Sequence, residues 1–323
     1  MSFESAWVCA EAAVKAGNIP CAVLGAISAQ GRRVAWTGQA VTDPEAVPVT
    51  RDTVFDLASL TKPVFTTERI LAHADAGRID LDAPLTSVIP DFRQYQSDCW
   101  ERRVTFRDCL GHRTPFPAVE PIYTYGADPA TLRAFVLQRE WRSQQPPVYS
   151  DINFILLGIA LERLEGRTVR DMDPGPGFSF TPAPDACAAT EACTWRGRTL
   201  RGEVHDENCF ALAGAGHAGL FGTADALLDF AQMALARGPG RIGAKLSETR
   251  THGWEVRHAG WSGGQVCSAA TIGHTGFTGT GLWIDFHAST AWTLLTNRVH
   301  PSRHIESGIA ALRRAVGEAL CME

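Results

Sequence analysis

The sequence predicts an α+β chain: an antiparallel sheet flanked by N- and C-terminal helices, with a mostly helical region inserted between its early and late strands. Three observations predict it. Strand-like runs fall near both ends, at residues 21–28 and 34–38 and again near 254–258, 270–273, 281–285 and 291–296. Apolar residues repeat at helical spacing in the outermost stretches, through Phe3, Trp7, Ala10 and Val14 and through Ile305, Ile309, Leu312, Val316 and Leu320. From Thr61 to about Leu164 the pattern is helical with loops.

In chain order, the first helix ends at Gly17-Asn18-Ile19-Pro20, and the early strands turn at Ala29-Gln30-Gly31-Arg32. Pro44 to Thr50 reads as a polar loop leading to Thr53-Val54-Phe55. A buried helix follows Thr61 and stops at Gly77, with residues 78–85 as an extended connector. A short helix at 104–110 ends at Gly111-His112-Arg113-Thr114-Pro115, and 131–139 forms another. Gln144-Gln145-Pro146-Pro147 breaks the pattern before Tyr149-Ser150-Asp151, which caps a helix carrying Ile155, Leu156, Leu157, Ile159, Leu161 and Leu164. Residues 171–186, crowded with proline and glycine, read as an irregular loop, and 194–203 as holding a short strand. Thr223 caps a helix that Gly238-Pro239 stops, and Ser302 is placed as the cap of the last one. One catalytic unit over 1–323 is expected, with the sheet in 1–60 and 215–323 and the helical part in 61–214.

Composition narrows the function. A chain of 323 residues with 45% hydrophobic and 20% charged residues is ordinary for a globular enzyme. The net charge of −5 and dispersed arginines argue against a nucleic-acid partner. Met1-Ser2-Phe3-Glu4-Ser5 has no basic region before an apolar core, and no apolar run is long enough to span a bilayer, so the expected location is the cytoplasm, without membrane contact. Nine cysteines without CxxC spacing fit reduced, buried thiols. Oligomeric state has no signature in the sequence.

The chemistry centres on Phe55-Asp56-Leu57-Ala58-Ser59-Leu60-Thr61-Lys62-Pro63-Val64. Ser59 and Lys62 stand three residues apart, hence on one helical face, which puts a hydroxyl beside an amine. A serine needs a neighbouring base, and a lysine serves if desolvation or another cation lowers its pKa. The apolar run Val64, Phe65, Ile70, Leu71 is expected to desolvate Lys62 in this way. Taken alone, the motif equally describes a serine cap with a lysine reaching solvent.

Two later stretches change the balance. Tyr149-Ser150-Asp151 and His274-Thr275-Gly276 follow Ser-x-x-Lys in the order known from β-lactamases and penicillin-binding proteins. The chain therefore resembles the serine β-lactamase and penicillin-binding-protein superfamily, nearest its class C β-lactamase-like branch of esterases, D-peptidases and muramyl-peptide amidases. Residues 110–117, the glycine segment 215–225 and Leu294-Leu295-Thr296-Asn297-Arg298 carry the same likeness. The resemblance implies a β-lactamase/transpeptidase-like fold and acyl transfer on a small ester, amide or β-lactam-like substrate. In it Ser59 attacks, Lys62 deprotonates it and Tyr149 shuttles the proton. Asp151, His274, Thr275, Gly276 and Phe277 would line the substrate site, with the amides of Ser59 and Phe277 as oxyanion donors.

Two departures from the pattern bear on substrate. Asp151 stands where class C β-lactamases have asparagine, and is expected to be the helix N-cap; His274 replaces the usual lysine. Both weigh against efficient β-lactam hydrolysis. An amidase, peptidase or β-lactamase acting on peptidoglycan fragments or β-lactams is one alternative, and a non-catalytic penicillin-binding sensor is the other. No cofactor is expected. Gly214-Ala215-Gly216-His217-Ala218-Gly219 matches GxGxxG but lacks a preceding strand and a distal acid, so the glycines are read as a tight backbone pass. His205-Asp206-Glu207 and the His300/His304 pair lack a convergent third ligand, and no metal is expected there.

Overall fold

The computed structural model describes residues 3–43 and 45–322, so Pro44 at the head of the predicted polar loop and Met1-Ser2 at the N-terminus lie outside it. In chain order the elements are α1 (Phe3–Lys15), β1 (Cys21–Ser28), β2 (Gly31–Val41), β3 (Val47–Pro48), β4 (Phe55–Asp56), α2 (Glu68–Asp75), α3 (Phe106–Leu110), α4 (Pro129–Gln138) and α5 (Asp151–Glu165). Then come β5 (Phe178–Ser179), β6 (Ala189–Cys193), β7 (Arg198–Arg201), α6 (Glu207–Ala211), β8 (Phe221–Gly222), α7 (Ala224–Arg237), α8 (Gly240–Gly243), β9 (Glu255–Val256), β10 (Thr271–Thr275), β11 (Gly281–Asp285), β12 (Thr290–Thr296) and α9 (Ile309–Cys321). The chain forms two compact units: residues 1–60, 174–205 and 220–323 in one, and 61–173 and 206–219 in the other. Residues 174–205, assigned to the helical part on sequence, cluster with the sheet.

In the first unit β3-β2-β1-β12-β11-β10-β9 form one seven-stranded antiparallel sheet. Strand alternation sorts β1 into two faces. Ala22, Leu24 and Ala26 join Phe3, Ala6 and Ala10 of α1 and Leu312, Val316 and Leu320 of α9 in one core. On the other face Gly25 lies against α7, where a Cβ would sit 2.9 Å from Leu228 Cδ1. Trp283 and Trp292, opposite each other on β11 and β12, stack with centroids 5.8 Å apart. Gly273 on β10 makes room for that indole, since a Cβ there would meet Trp283 at 2.2 Å.

Side-chain caps open α3, α4, α5, α6 and α7, and of these the sequence reading marks those of α5 and α7. Thr223 accepts from Ala226 N at the head of α7, and Thr105 forms a capping box with Asp108 at the head of α3. α9 starts later than predicted. Gly308, at φ 62°, precedes it, and Ser302 lies outside the helix. The stretch before that glycine leaves Ile305 47% exposed, so its apparent helical spacing with Ile309 is coincidental. Residues 171–186 are less irregular than expected, because β5 joins β4 and β8 in a three-stranded sheet.

In the second unit, α5 is buried along most of its length. The glycine segment passes tightly against it: a Cβ on Gly158 would lie 2.5 Å from Gly216 N, and one on Gly216 would lie 2.5 Å from Phe154 O. Among the described residues no helix is long and apolar enough to cross a membrane.

Candidate active site

Ser59 lies in the sheet unit, in the single 3-10 turn Ala58–Leu60 that follows β4. It is partly exposed, whereas Ala58 and Leu60 are buried. Ala58 takes φ 48°, a left-handed conformation that costs a side-chain-bearing residue about 1–3 kcal/mol and persists only where the surroundings enforce it. Here they do. The Asp56 carboxylate accepts from Ala58 N at 2.8 Å and from His205 N at 2.7 Å. Thr278 and Thr280 hydroxyls donate to Asp56 O at 2.7 Å and Leu57 O at 3.1 Å.

The end of β10 packs against the same turn. A Cβ on Gly276 would lie 2.1 Å from Thr280 Oγ1 and 2.5 Å from Leu57 O, so glycine is required by the protein's own backbone approach, where the sequence reading gave the space to substrate. Phe277 follows, 48% exposed. Its ring is covered by Arg298 at 4.5 Å and stacks with His205 at 5.6 Å. His274 is buried, with Nδ1 at 2.9 Å from Thr275 O. Within this unit the structure therefore brings the Ser59 turn together with Gly276 and Phe277.

The helical unit brings together Lys62, Tyr149 and Asp151. Lys62 opens a π-helical turn, Lys62–Thr67, that continues into α2; Pro63 sits in its first turn, where no amide partner is lost. The Lys62 side chain is fully buried, with Nζ at 2.8 Å from Asp151 Oδ1 and 3.1 Å from His217 O. It lies 5.0 Å from the Tyr149 ring centroid and hydrogen-bonds Tyr149. Burial is the largest single influence on the amine and pulls its pKa down. The charge of Asp151, Tyr149 and the hydrogen bonds to both outweigh it, and the pKa ends above the ordinary lysine value.

Two sequence expectations are thereby corrected. Lys62 is buried as predicted, but it is held as a cation instead of being freed as a base. Asp151 is the first residue of α5, not its cap; Ser150 is the cap, accepting from Ile152 N, which leaves the Asp151 carboxylate for Lys62.

Several supporting residues lie in stretches marked by the sequence reading, which gave them no individual role in the site. His112, at φ 50°, packs its ring against Tyr149 with centroids 4.3 Å apart and accepts from Ser150 N at 3.1 Å. Asn153 accepts from the Thr114 hydroxyl at 2.6 Å. His217 faces Asp206 at 2.8 Å, and the backbone carbonyls of Gly216 and His217 accept from Thr66 and Lys62. The glycine segment thus serves the buried amine. Of the histidines weighed as metal ligands, His205 pairs with Glu191 at 3.0 Å and His300 bridges Thr42 and Thr190. Among the described residues no group of three or more His, Cys, Asp or Glu is arranged to hold a metal ion.

An antiparallel sheet between terminal helices, an inserted helical region and a buried lysine downstream of a serine turn define a β-lactamase/transpeptidase-like hydrolase fold. The model of the Beta-lactamase family matches residues 9–315, and the chain belongs to that family. An N-acetylmuramyl-L-alanine amidase of Bacillus subtilis (strain 168) is 27% identical over 302 residues, covering 77% of this chain and 68% of its own. Among solved structures, EstCE1, a hydrolase with promiscuous acyltransferase activity, matches with a TM-score of 0.75 at 17% identity over 99% of this chain and 98% of its own. A class C β-lactamase from Rhodobacter sphaeroides matches with a TM-score of 0.72 at 18% identity over 98% of this chain and 99% of its own. The resemblance drawn from the sequence and the fold class it implied are both met.

Proposed function

We propose that the protein is a serine hydrolase that cleaves an ester or amide through an acyl-enzyme on Ser59. The observation that carries this reading is the buried Lys62 cation, held at 2.8 Å by Asp151 and hydrogen-bonded to Tyr149, three residues after Ser59 in the chain. A fully desolvated ammonium is costly and is kept where its charge is used.

With Lys62 charged, the acid/base work falls to Tyr149, since a cation beside a phenol favours its ionised form. The phenolate takes the Ser59 proton, and Oγ adds to the substrate carbonyl. The resulting oxyanion is held by the amides of Ser59 and Phe277. Collapse expels the alcohol or amine, which takes the proton back from Tyr149 and leaves an ester on Ser59. The regenerated Tyr149 phenolate takes a proton from water, whose oxygen adds to the ester, and collapse expels Ser59 Oγ, which recovers that proton from Tyr149 as the acid leaves. A peptidoglycan-fragment amide is the second reading for the substrate, favoured by the amidase relative.

The test is incubation with a p-nitrophenyl ester, a chromogenic β-lactam and a muramyl peptide, with mass spectrometry of the intact protein. Turnover with a transient adduct on Ser59 is expected, and Ser59→Ala should abolish acylation while leaving the circular dichroism unchanged. A stable adduct without turnover would favour a sensor. Retained activity in Ser59→Ala would refute the assignment.

A further inference from the structure

Arg313, on α9, is a buried cation that the mechanism above does not use. It is 8% exposed, and among the described residues no carboxylate lies within ion-pair distance of it, Glu255 acting on it only through its charge. Its Nη2 donates to two carbonyls, Gly276 O at 2.8 Å and Thr280 O at 2.7 Å. Burial, the nearby Arg298 charge second, lowers its pKa to about 9, which leaves it charged at neutral pH. An unpaired buried guanidinium is expensive. The two carbonyls it holds belong to the turn that carries Phe277.

That turn is closed by Gly279 N donating to Gly276 O at 3.1 Å and by Gly276 N donating to Thr280 O at 2.9 Å. Gly276 O therefore has both lone pairs engaged, one by Gly279 and one by Arg313. The Gly276–Phe277 peptide is trans. In a trans peptide the carbonyl and the following N–H lie in one plane and point in opposite directions, so fixing the first aims the second. Among the described residues no acceptor is recorded for the Phe277 N–H, so the donor is unspent. Gly276 has the least restricted backbone of any residue, so without the guanidinium this peptide plane is the softest part of the turn. A cation on the carbonyl also polarises the amide and strengthens its N–H as a donor.

We infer that Arg313 is a positioning residue that aims and polarises the Phe277 N–H as an oxyanion donor. This rests on the serine-hydrolase reading. It separates from a merely structural staple because a misaimed donor slows acylation without weakening ground-state binding.

The experiment compares the wild-type chain with Arg313→Gln and Arg313→Lys. Pre-steady-state acylation by a p-nitrophenyl ester gives the acylation rate and KM, and circular dichroism checks the fold. Arg313→Gln should slow acylation by about tenfold to a hundredfold, below the roughly 10²–10³ of deleting a donor outright, with KM within about twofold. Arg313→Lys, which keeps the charge but reaches one carbonyl at a time, should recover part of the rate. Affinity for a trifluoromethyl ketone that forms an oxyanion adduct should fall by the same factor as the rate. An acylation rate within about twofold of wild type in Arg313→Gln would overturn the inference, as would an equal loss in KM or loss of fold in both variants. Wild-type protein that no probe acylates would instead overturn the serine-hydrolase reading, and this inference with it. Labelling of wild type but not of Ser59→Ala keeps the two failures apart.

Discussion

On the Lys62 amine two effects of opposite sign compete, and a carboxylate decides between them. Full burial favours the neutral amine, and the Asp151 oxygen 2.8 Å away restores the cation. Replacing Asp151 by asparagine removes that charge while keeping the shape. The burial effect then prevails, the Lys62 pKa falls, and the alkaline limb of the acylation pH profile should move to lower pH. The sign for stability follows. A lysine whose folded pKa is raised contributes stability below its unfolded pKa and loses it as pH rises through the folded value. Asp151→Asn should therefore destabilise the protein at neutral pH, by roughly 3–5 kcal/mol if the cation is left unpaired and less if it deprotonates. Urea midpoints at pH 7 and pH 10 would check this, and an unchanged midpoint at pH 7 would contradict it. Ser59 and Lys62 could be singled out because residue type and local spacing mark them, whereas Tyr149 entered only through the resemblance. Asp151 was seen, but its partner was not, because an N-terminal position on α5 explains a carboxylate without any lysine. Arg313 had no mark of its own: it stands beside Arg314 on α9, and which of the two arginines turns inward is set by tertiary packing.

Elements that advertise their ends were read well, and those that do not were missed. Thr223, followed by the glycine at 238, bounds α7 in sequence as it does in structure. Strand β6, Ala-Thr-Glu-Ala-Cys, has little β-branched or alternating character and was not foreseen; it forms because β7 pairs with it. The glycine segment was recognised as a tight backbone pass, but its neighbour, Gly158 in the middle of α5, could only be found in three dimensions. That crossing makes a prediction. A methyl on either glycine meets backbone atoms at 2.5 Å, and backbone cannot step aside as a flexible side chain can. Gly158→Ala raises intrinsic helix propensity by about 1 kcal/mol, so destabilisation there would have to come from the clash. Both Gly158→Ala and Gly216→Ala should lower stability by about 1–3 kcal/mol or more, read from urea denaturation. A stabilised Gly158→Ala would show that the helix and the segment are not in contact.

At the scale of the whole chain, the units change at 60/61, at the end of the serine turn, and residues 174–205 fall with the sheet unit through β5 beside β4 and β8 and through the separate β6–β7 pair, of which the sequence marked only the strand within 194–203. In each unit a carboxylate with a strongly depressed pKa joins a histidine to a second partner. In the sheet unit Glu191 on β6 meets His205 at 3.0 Å and Arg303 at 2.7 Å; in the helical unit Asp206 meets His217 at 2.8 Å and Cys209 N at 2.7 Å. Burial, the largest single influence on both, acts to raise their pKa values. It is outweighed at Glu191 by hydrogen bonds from His205 and Arg303, and at Asp206 by the His217 charge and hydrogen bond, the Cys209 amide and the Lys62 charge. Both carboxyls end well below the usual carboxylate range. A group with a depressed folded pKa adds stability above its unfolded pKa, and that stability disappears as pH falls toward the folded value. The unfolded values lie near about 4, so the thermal midpoint should be nearly flat from about pH 7 to about pH 5 and fall steeply below about pH 4. Glu191→Gln and Asp206→Asn should each lower the midpoint at pH 7 and flatten the acid limb, because each removes a proton-uptake site that only the folded state suppresses. Should the variants lose stability at pH 7 yet keep the full acid slope, the proton-linked stability would have to come from other carboxylates, such as Asp285 beside Ser268 and Thr271.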